Sequence, residues 1–353
     1  MLLNTLRRAR WRPAITLPGN DNLELHHPPR AAAAVAADRF RTLTIWLILV
    51  SCVVATALAL QWRVRVDFGG TSVICLSIAA LLLASRIWKD RRVDQRITDA
   101  IGVVAAAAMG GMTGGAIAML ELRLHLPVAD GMLQSWDHKL GVDGLAIVDT
   151  LVHQFRWTFA FMSPAYNYTI EIFFGGLIAV ALMGDRIEAW RGAFCFVGTL
   201  FTTCLIAAFA PAKGLGVWAP DQLLAEMPPQ AMRNFWPHFD EFYFGDDPVL
   251  RLQVIDGVIS FPSFHTVVGL LIFAMWRKHA ATCAIAAIFL LFMLLAIFPG
   301  GGHYFVDLLG GFAVWAAWFA LSRHIEQQGT PRMVLIGATA SVQARMSSTE
   351  LQS

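Results

Sequence analysis

Long apolar runs alternate with short polar, charged segments along most of the chain. They fall at residues 42–60, 71–88, 98–120, 157–183, 192–211, 259–276, 280–298 and 303–321. Each is near or above the ~18–20 residues that a helix needs to cross the hydrocarbon core of a bilayer. The pattern predicts an all-α, polytopic membrane helical bundle with about eight transmembrane helices. The fourth run contains "MSPAYNYTIE" and is expected to be broken or tilted near Pro164. The third carries Gly110, Gly111, Gly114 and Gly115. These two overlapping G-x-x-x-G spacings mark close helix packing and no chemistry.

Composition sharpens this picture. The 353 residues are 57% hydrophobic and 15% charged, which excludes an ordinary soluble domain. The formal net charge of +2 asks for no nucleic acid. Cys52, Cys75, Cys195, Cys204 and Cys283 all lie in apolar runs without a C-x-x-C, and read as small packing residues. Residues 1–40 lack the apolar core of a cleavable signal peptide and read as a cytoplasmic tail, with "AAAAVAA" a short helix at most. Residues 41–96 would form two accessory helices, 97–325 the functional core, and 326–353 a second cytoplasmic tail.

Charge sets the expected orientation. With the N-terminus inside, the cytoplasmic segments hold 19 of the 27 Lys and Arg residues, and the outer segments hold 8. Positive charge prefers the cytoplasm, so both termini are expected there. The sixth and eighth runs then begin at the same outer face, the one shared by the long segments 121–156 and 212–258. The Ala-, Arg- and Leu-rich composition leans toward a bacterial inner membrane.

Chemistry concentrates at those two helix starts. "SFPSFHT" places Pro262, Ser263 and His265 at one, and "GGHYFVDLLGG" places His303 and Asp307 at the other. A helix start has free N–H donors and the positive end of a dipole, and both suit an anion. Pro262 fits a first turn. Gly300, Gly301 and Gly302 would let a second anion approach the backbone. His303 and Asp307 share a helix face at i,i+4. The carboxylate can take the proton of one imidazole nitrogen and leave the other as a lone-pair nucleophile. His265 would protonate the leaving alkoxide. The acidic "HFDEFYFGDD" invites a metal reading, but its spacing favours a solvated loop.

The two stretches resemble the type 2 phosphatidic acid phosphatase superfamily. Its second motif commonly reads P-S-G-H, matched by Pro262-Ser263-Phe264-His265 except at Phe264. Its third, S-R-x5-H-x3-D, is matched at its end by His303-Tyr304-Phe305-Val306-Asp307, with Ile297 standing at the arginine position. The first motif, K-x6-R-P, is not found. The bulky residue between Ser and His, the H-Y-x-x-D after glycines, and "SWDHKLGVDG" look more like the branch containing fungal inositol phosphorylceramide synthases and their bacterial relatives. The resemblance spans about residues 135–321.

It implies a six-helix phosphatase-type core and a phosphohistidine on His303, with Asp307 orienting it, His265 as acid and no metal or cofactor. Phosphate binding is expected from Ser263, Phe264, Gly302 and two cationic substitutes, Arg251 and Lys213. The partners are membrane lipids: a phosphorylated lipid substrate and, for a transferase, an alcohol or lipid acceptor. Hydrolysis and transfer both remain open. So do a non-catalytic lipid-binding protein with a degenerate site, and a haem or metal protein using both histidines.

Overall fold

The computed structural model describes residues 30–67, 80, 83, 95–229, 231–251 and 257–328. The expected second span, 71–88, and Cys75 lie almost wholly or wholly outside these residues, as do the chain ends. Among the described residues the fold is all-α apart from one two-residue parallel pairing, Arg65–Val66 with Val249–Leu250. Five described helices are long and apolar enough to cross a membrane. The helices Arg156–Asn167 and Thr169–Leu182, bent by 60° from one another, are long and apolar enough for a sixth span when taken together. The expected break is therefore present, at Tyr168, four residues past Pro164, whose carbonyl accepts the Tyr168 N–H. The first helix starts at Arg30, so the alanine run forms its opening turns.

The Arg186–Ala207 helix is the hub of the bundle, packing on five others: Arg30–Gln61, Gln95–Leu120, Thr169–Leu182, Phe264–Trp276 and Phe305–Gln328. It is the least hydrophobic of the five full-length spans and the most buried. Protein surrounds it, so it can carry Thr199 and Thr203, whose hydroxyls return to the carbonyls of Cys195 and Thr199. The lipid-facing Ala280–Ala296 helix is more hydrophobic and much less buried. A Cβ on Gly110 would overlap Val197, and one on Gly114 would overlap Leu200. Both glycines let the Gln95–Leu120 helix lie against the hub, as their spacing predicts.

Ion pairs sort the segments into two ends. At one end Arg186 bridges Asp38 and Asp99, Lys278 meets Asp185, and Arg191 meets Glu326. At the other, Arg65 pairs with Asp247, Lys213 with Asp240 and Arg251 with Glu241. The acidic 238–247 segment thus supplies ion-pair partners. No group of three His, Cys, Asp or Glu residues placed to hold a metal occurs among the described residues.

Candidate active site

The last two membrane helices are joined by a π turn at Ile297–Gly301, followed by Gly302 in the left-handed region (φ 65°) and His303. His303 lies buried just before the Phe305–Gln328 helix. Its Nδ1 is 2.9 Å from the Ser260 carbonyl and 3.1 Å from Asp307 Oδ2. Both are acceptors, so Nδ1 carries the proton and Nε2 carries the lone pair. Asp307 is fully buried. Its Oδ2 also accepts from the Ser260 hydroxyl at 2.8 Å and from the Tyr304 N–H at 2.9 Å. The carboxylate that orients His303 is thus held by two further donors.

His265 sits in the first turn of the Phe264–Trp276 helix. Its ring centroid is 6.4 Å from that of His303, in a T-shaped arrangement. The two expected helix starts therefore meet at one site. Ser263 is the N-cap: its hydroxyl accepts the Thr266 N–H and its own N–H donates to the Asp307 carbonyl. Pro262 precedes the cap instead of occupying the first turn. Ser263 ties the two motif segments together through the backbone.

Several expected phosphate contacts are placed otherwise. Phe264 packs edge-on against Phe196 of the hub, 5.4 Å between centroids, so the bulky side chain fills the core. The Gly302 N–H is spent on the Phe298 carbonyl, its own carbonyl accepts from Leu215, and a Cβ there would press on the Met232 backbone. The glycine run serves close packing at this point, not an open anion cradle. Arg251 is engaged by both oxygens of Glu241. Lys213 pairs with Asp240 and lies 4.8 Å over the Trp236 ring.

The start of the Phe305–Gln328 helix is also occupied. Asp137 accepts the N–H groups of Phe305 at 2.7 Å and Val306 at 2.9 Å, filling the position expected for an anion. Asp130, on the same Asp130–Lys139 helix, accepts from the backbone of Lys213 and Gly214 and from the Tyr304 hydroxyl. Trp218 Nε1 donates to that hydroxyl in turn. Burial pushes both carboxyls above their ordinary range, and these hydrogen bonds partly offset it. Burial, then the Asp130 charge, pushes the Tyr304 phenol up as well, so it stays protonated as a donor.

Sequence reasoning missed Asp130, Asp137, Ser260, Tyr166 and Tyr304 as site residues. Asp137 had a signal, because it lies in "SWDHKLGVDG"; Ser260 and Tyr304 sat inside the motif stretches. Tyr166 is buried where the broken span ends its first half, and its ring stacks on His265 at 4.1 Å. A cleft of about 170 Å³ opens beside it, lined by Ser163, Asn167, Asn234 and Gly300 among others.

The sequence profile of the PAP2 superfamily matches residues 131–321. That stretch runs from the Asp130–Lys139 helix into the last span, and holds every residue of the network around His303 except Asp130. A search of curated proteins and one of solved structures find no match.

Proposed function

Because the chain belongs to the PAP2 superfamily, we propose that it transfers a phosphoryl group of a membrane lipid through a phosphohistidine on His303. The observation that carries this reading is the placement of His303 Nδ1 between the Ser260 carbonyl and Asp307. That hydrogen bonding leaves Nε2 as the nucleophile.

In the first step Nε2 attacks phosphorus and the bond to the leaving alkoxide breaks. Protonated His265 gives its proton to that oxygen. Asp307 stabilises the positive charge that develops on the His303 ring. In the second step water or an alcohol gives its proton to His265 and attacks phosphorus, and the P–N bond breaks. The scheme calls for no cofactor or metal, because the two imidazoles supply nucleophile and acid.

Charge favours a finer reading. Arg251 and Lys213 are committed to carboxylates, and Ile297 stands where a motif arginine would. A dianionic phosphomonoester would be poorly compensated there. A phosphodiester carries a single negative charge and suits the site better. The headgroup phosphate of a diester phospholipid would then move to His303 while the diacylglycerol leaves, as in the inositol phosphorylceramide synthase branch.

The site also suits a lipid. The Phe264–Trp276 helix has 13 residues and is about 20 Å long, against a hydrocarbon core of about 30 Å. With Arg277 and Lys278 at the cytoplasmic boundary, His265 is recessed from the outer one, beneath segments 121–156 and 212–258. A lipid phosphate can reach it from within the outer leaflet.

The test is purified protein incubated with phosphatidate, diacylglycerol pyrophosphate, isoprenyl pyrophosphate or phosphatidylinositol, with and without ceramide or diacylglycerol. Mass spectrometry then identifies released headgroups and new lipids. Turnover of the diester with an acid-labile phosphoenzyme is expected. Faster turnover of phosphatidate would overturn the diester reading. No turnover and no phosphoenzyme from any lipid would leave a non-catalytic lipid-binding protein.

A further inference from the structure

Tyr166 has no role in the scheme above, yet its phenol and the imidazole of His303 both crowd the space over Gly301. A Cβ built on Gly301 would overlap both Tyr166 Oη and His303 Cδ2, the ring carbon bonded to Nε2. The hydroxyl and the nucleophilic edge of the imidazole therefore flank one point. A Cβ on Gly300 would in turn press on the Tyr166 ring, 3.1 Å from Cδ1. Gly300 and Gly301 thus let the phenol approach.

The ring itself lies on His265, nearly parallel at 17° and 4.1 Å between centroids. One side chain thus lies with its face on the proposed acid and has its hydroxyl beside the same point over Gly301 as His303 Cδ2. Tyr166 is only 8% exposed, and what remains open faces the cleft lined by Ser163, Asn167 and Asn234. Its hydroxyl makes no hydrogen bond among the described residues and is not one of the buried unpaired atoms, so it is open to that cleft. A packing role alone would be filled by phenylalanine.

We infer that the Tyr166 hydroxyl is a catalytic group: it donates a hydrogen bond to a nonbridging phosphoryl oxygen while phosphorus is bonding to His303 Nε2. The inference rests on the phosphotransfer reading of this site. A neutral donor at a buried, preorganised position stabilises developing charge strongly. It supplies part of what Arg251 and Lys213, turned toward Glu241 and Asp240, do not. It suits a monoanionic phosphodiester, for which full cationic neutralisation is not required.

Tyr166→Phe keeps the stack on His265 and removes only the hydroxyl. With the full-length protein and the best substrate of the lipid panel, kcat is expected to fall by roughly 10²–10³-fold, the scale for losing one oxyanion donor. KM and the thermal midpoint should stay near wild type. The leaving group separates this role from one exerted through His265. A nonbridging contact is needed whatever departs, so the loss should persist with an aryl leaving group, whereas that of His265→Ala should shrink. Wild-type turnover by Tyr166→Phe, or a loss that vanishes with the aryl substrate, would overturn the assignment while leaving the phosphohistidine reading intact. A wild-type protein that forms no phosphoenzyme at all would overturn both.

Discussion

The carboxylate of Asp137 caps the helix that begins at Phe305, 2.7 Å from its N–H and 168 residues away in sequence. It also takes the Val306 N–H. One charged group thus fixes the start of the helix that carries Asp307, and through Asp307 the orientation of His303. Asp137→Ala should lower stability by about 1–2 kcal/mol, the usual cost of a lost cap. It should also slow turnover by more than that loss of folded protein explains, because His303 loses its support. Thermal melts in detergent and rates per folded protein check this. Asp137→Asn keeps one acceptor oxygen and should lie between the two. An alanine variant with unchanged turnover would reduce Asp137 to a helix stabiliser.

The glycines of the third predicted span offer a test away from the chemistry. Gly114→Val would drive a branched side chain into Leu200, and Gly110→Val would meet Val197. Overpacking of this kind costs typically about 1–3 kcal/mol. Both variants should melt earlier, and the folded fraction should keep its KM. Gly131→Val is the control, because a Cβ there meets nothing within 4 Å.

Five of the expected spans, and a sixth as a bent pair, were legible because lipid demands long apolar runs wherever a helix faces it; the expected 259–276 span is instead the 13-residue Phe264–Trp276 helix. The hub was less legible, since a span surrounded by protein can carry Thr199, Thr203 and Arg191 and so looks more polar. The pair of His303 and Asp307 was readable because the contact spans only four residues, although His303 lies just before the helix that carries Asp307 and not on its first turn. That Asp137 takes the N–H groups at the Phe305 helix start was not legible, because it comes from a distant segment. The packing of Phe264 was hidden for the same reason: its partner Phe196 lies on another helix. Gly300–Gly302 announced a close approach, but sequence did not say that Tyr166 and Met232 make it.

The two ends of the bundle gather the segments that Lys and Arg assign to opposite faces. We expect the end holding Arg186, Arg191 and Lys278 to be cytoplasmic. Single cysteines at Gln95 and Gln222, both exposed, in a background without native cysteines, test this. An impermeant thiol reagent should label position 222 in intact cells and spare 95. The reverse pattern would invert the topology and place the histidines at the inner face.

The mechanism divides the two histidines by role. His303 has Asp307 at i+4 within hydrogen-bond reach, whereas the i+4 position of His265 is Gly269. His303→Ala should therefore abolish both turnover and the acid-labile phosphoenzyme. His265→Ala should slow lipid turnover by ~10²-fold or more, the scale for losing a general acid. That loss should shrink with an aryl leaving group, which needs little protonation. Asp307→Asn alters the oxygen that accepts from His303, Ser260 and the Tyr304 N–H. An amide that turns its NH₂ toward Nδ1 would force the proton onto Nε2 and block attack, so a large drop in rate is expected with the fold retained. Labelled substrate, an acid-free quench and peptide mapping decide between the two histidines. Label on the peptide containing His265 would exchange their roles, and normal turnover by His303→Ala would remove the nucleophile from His303 altogether.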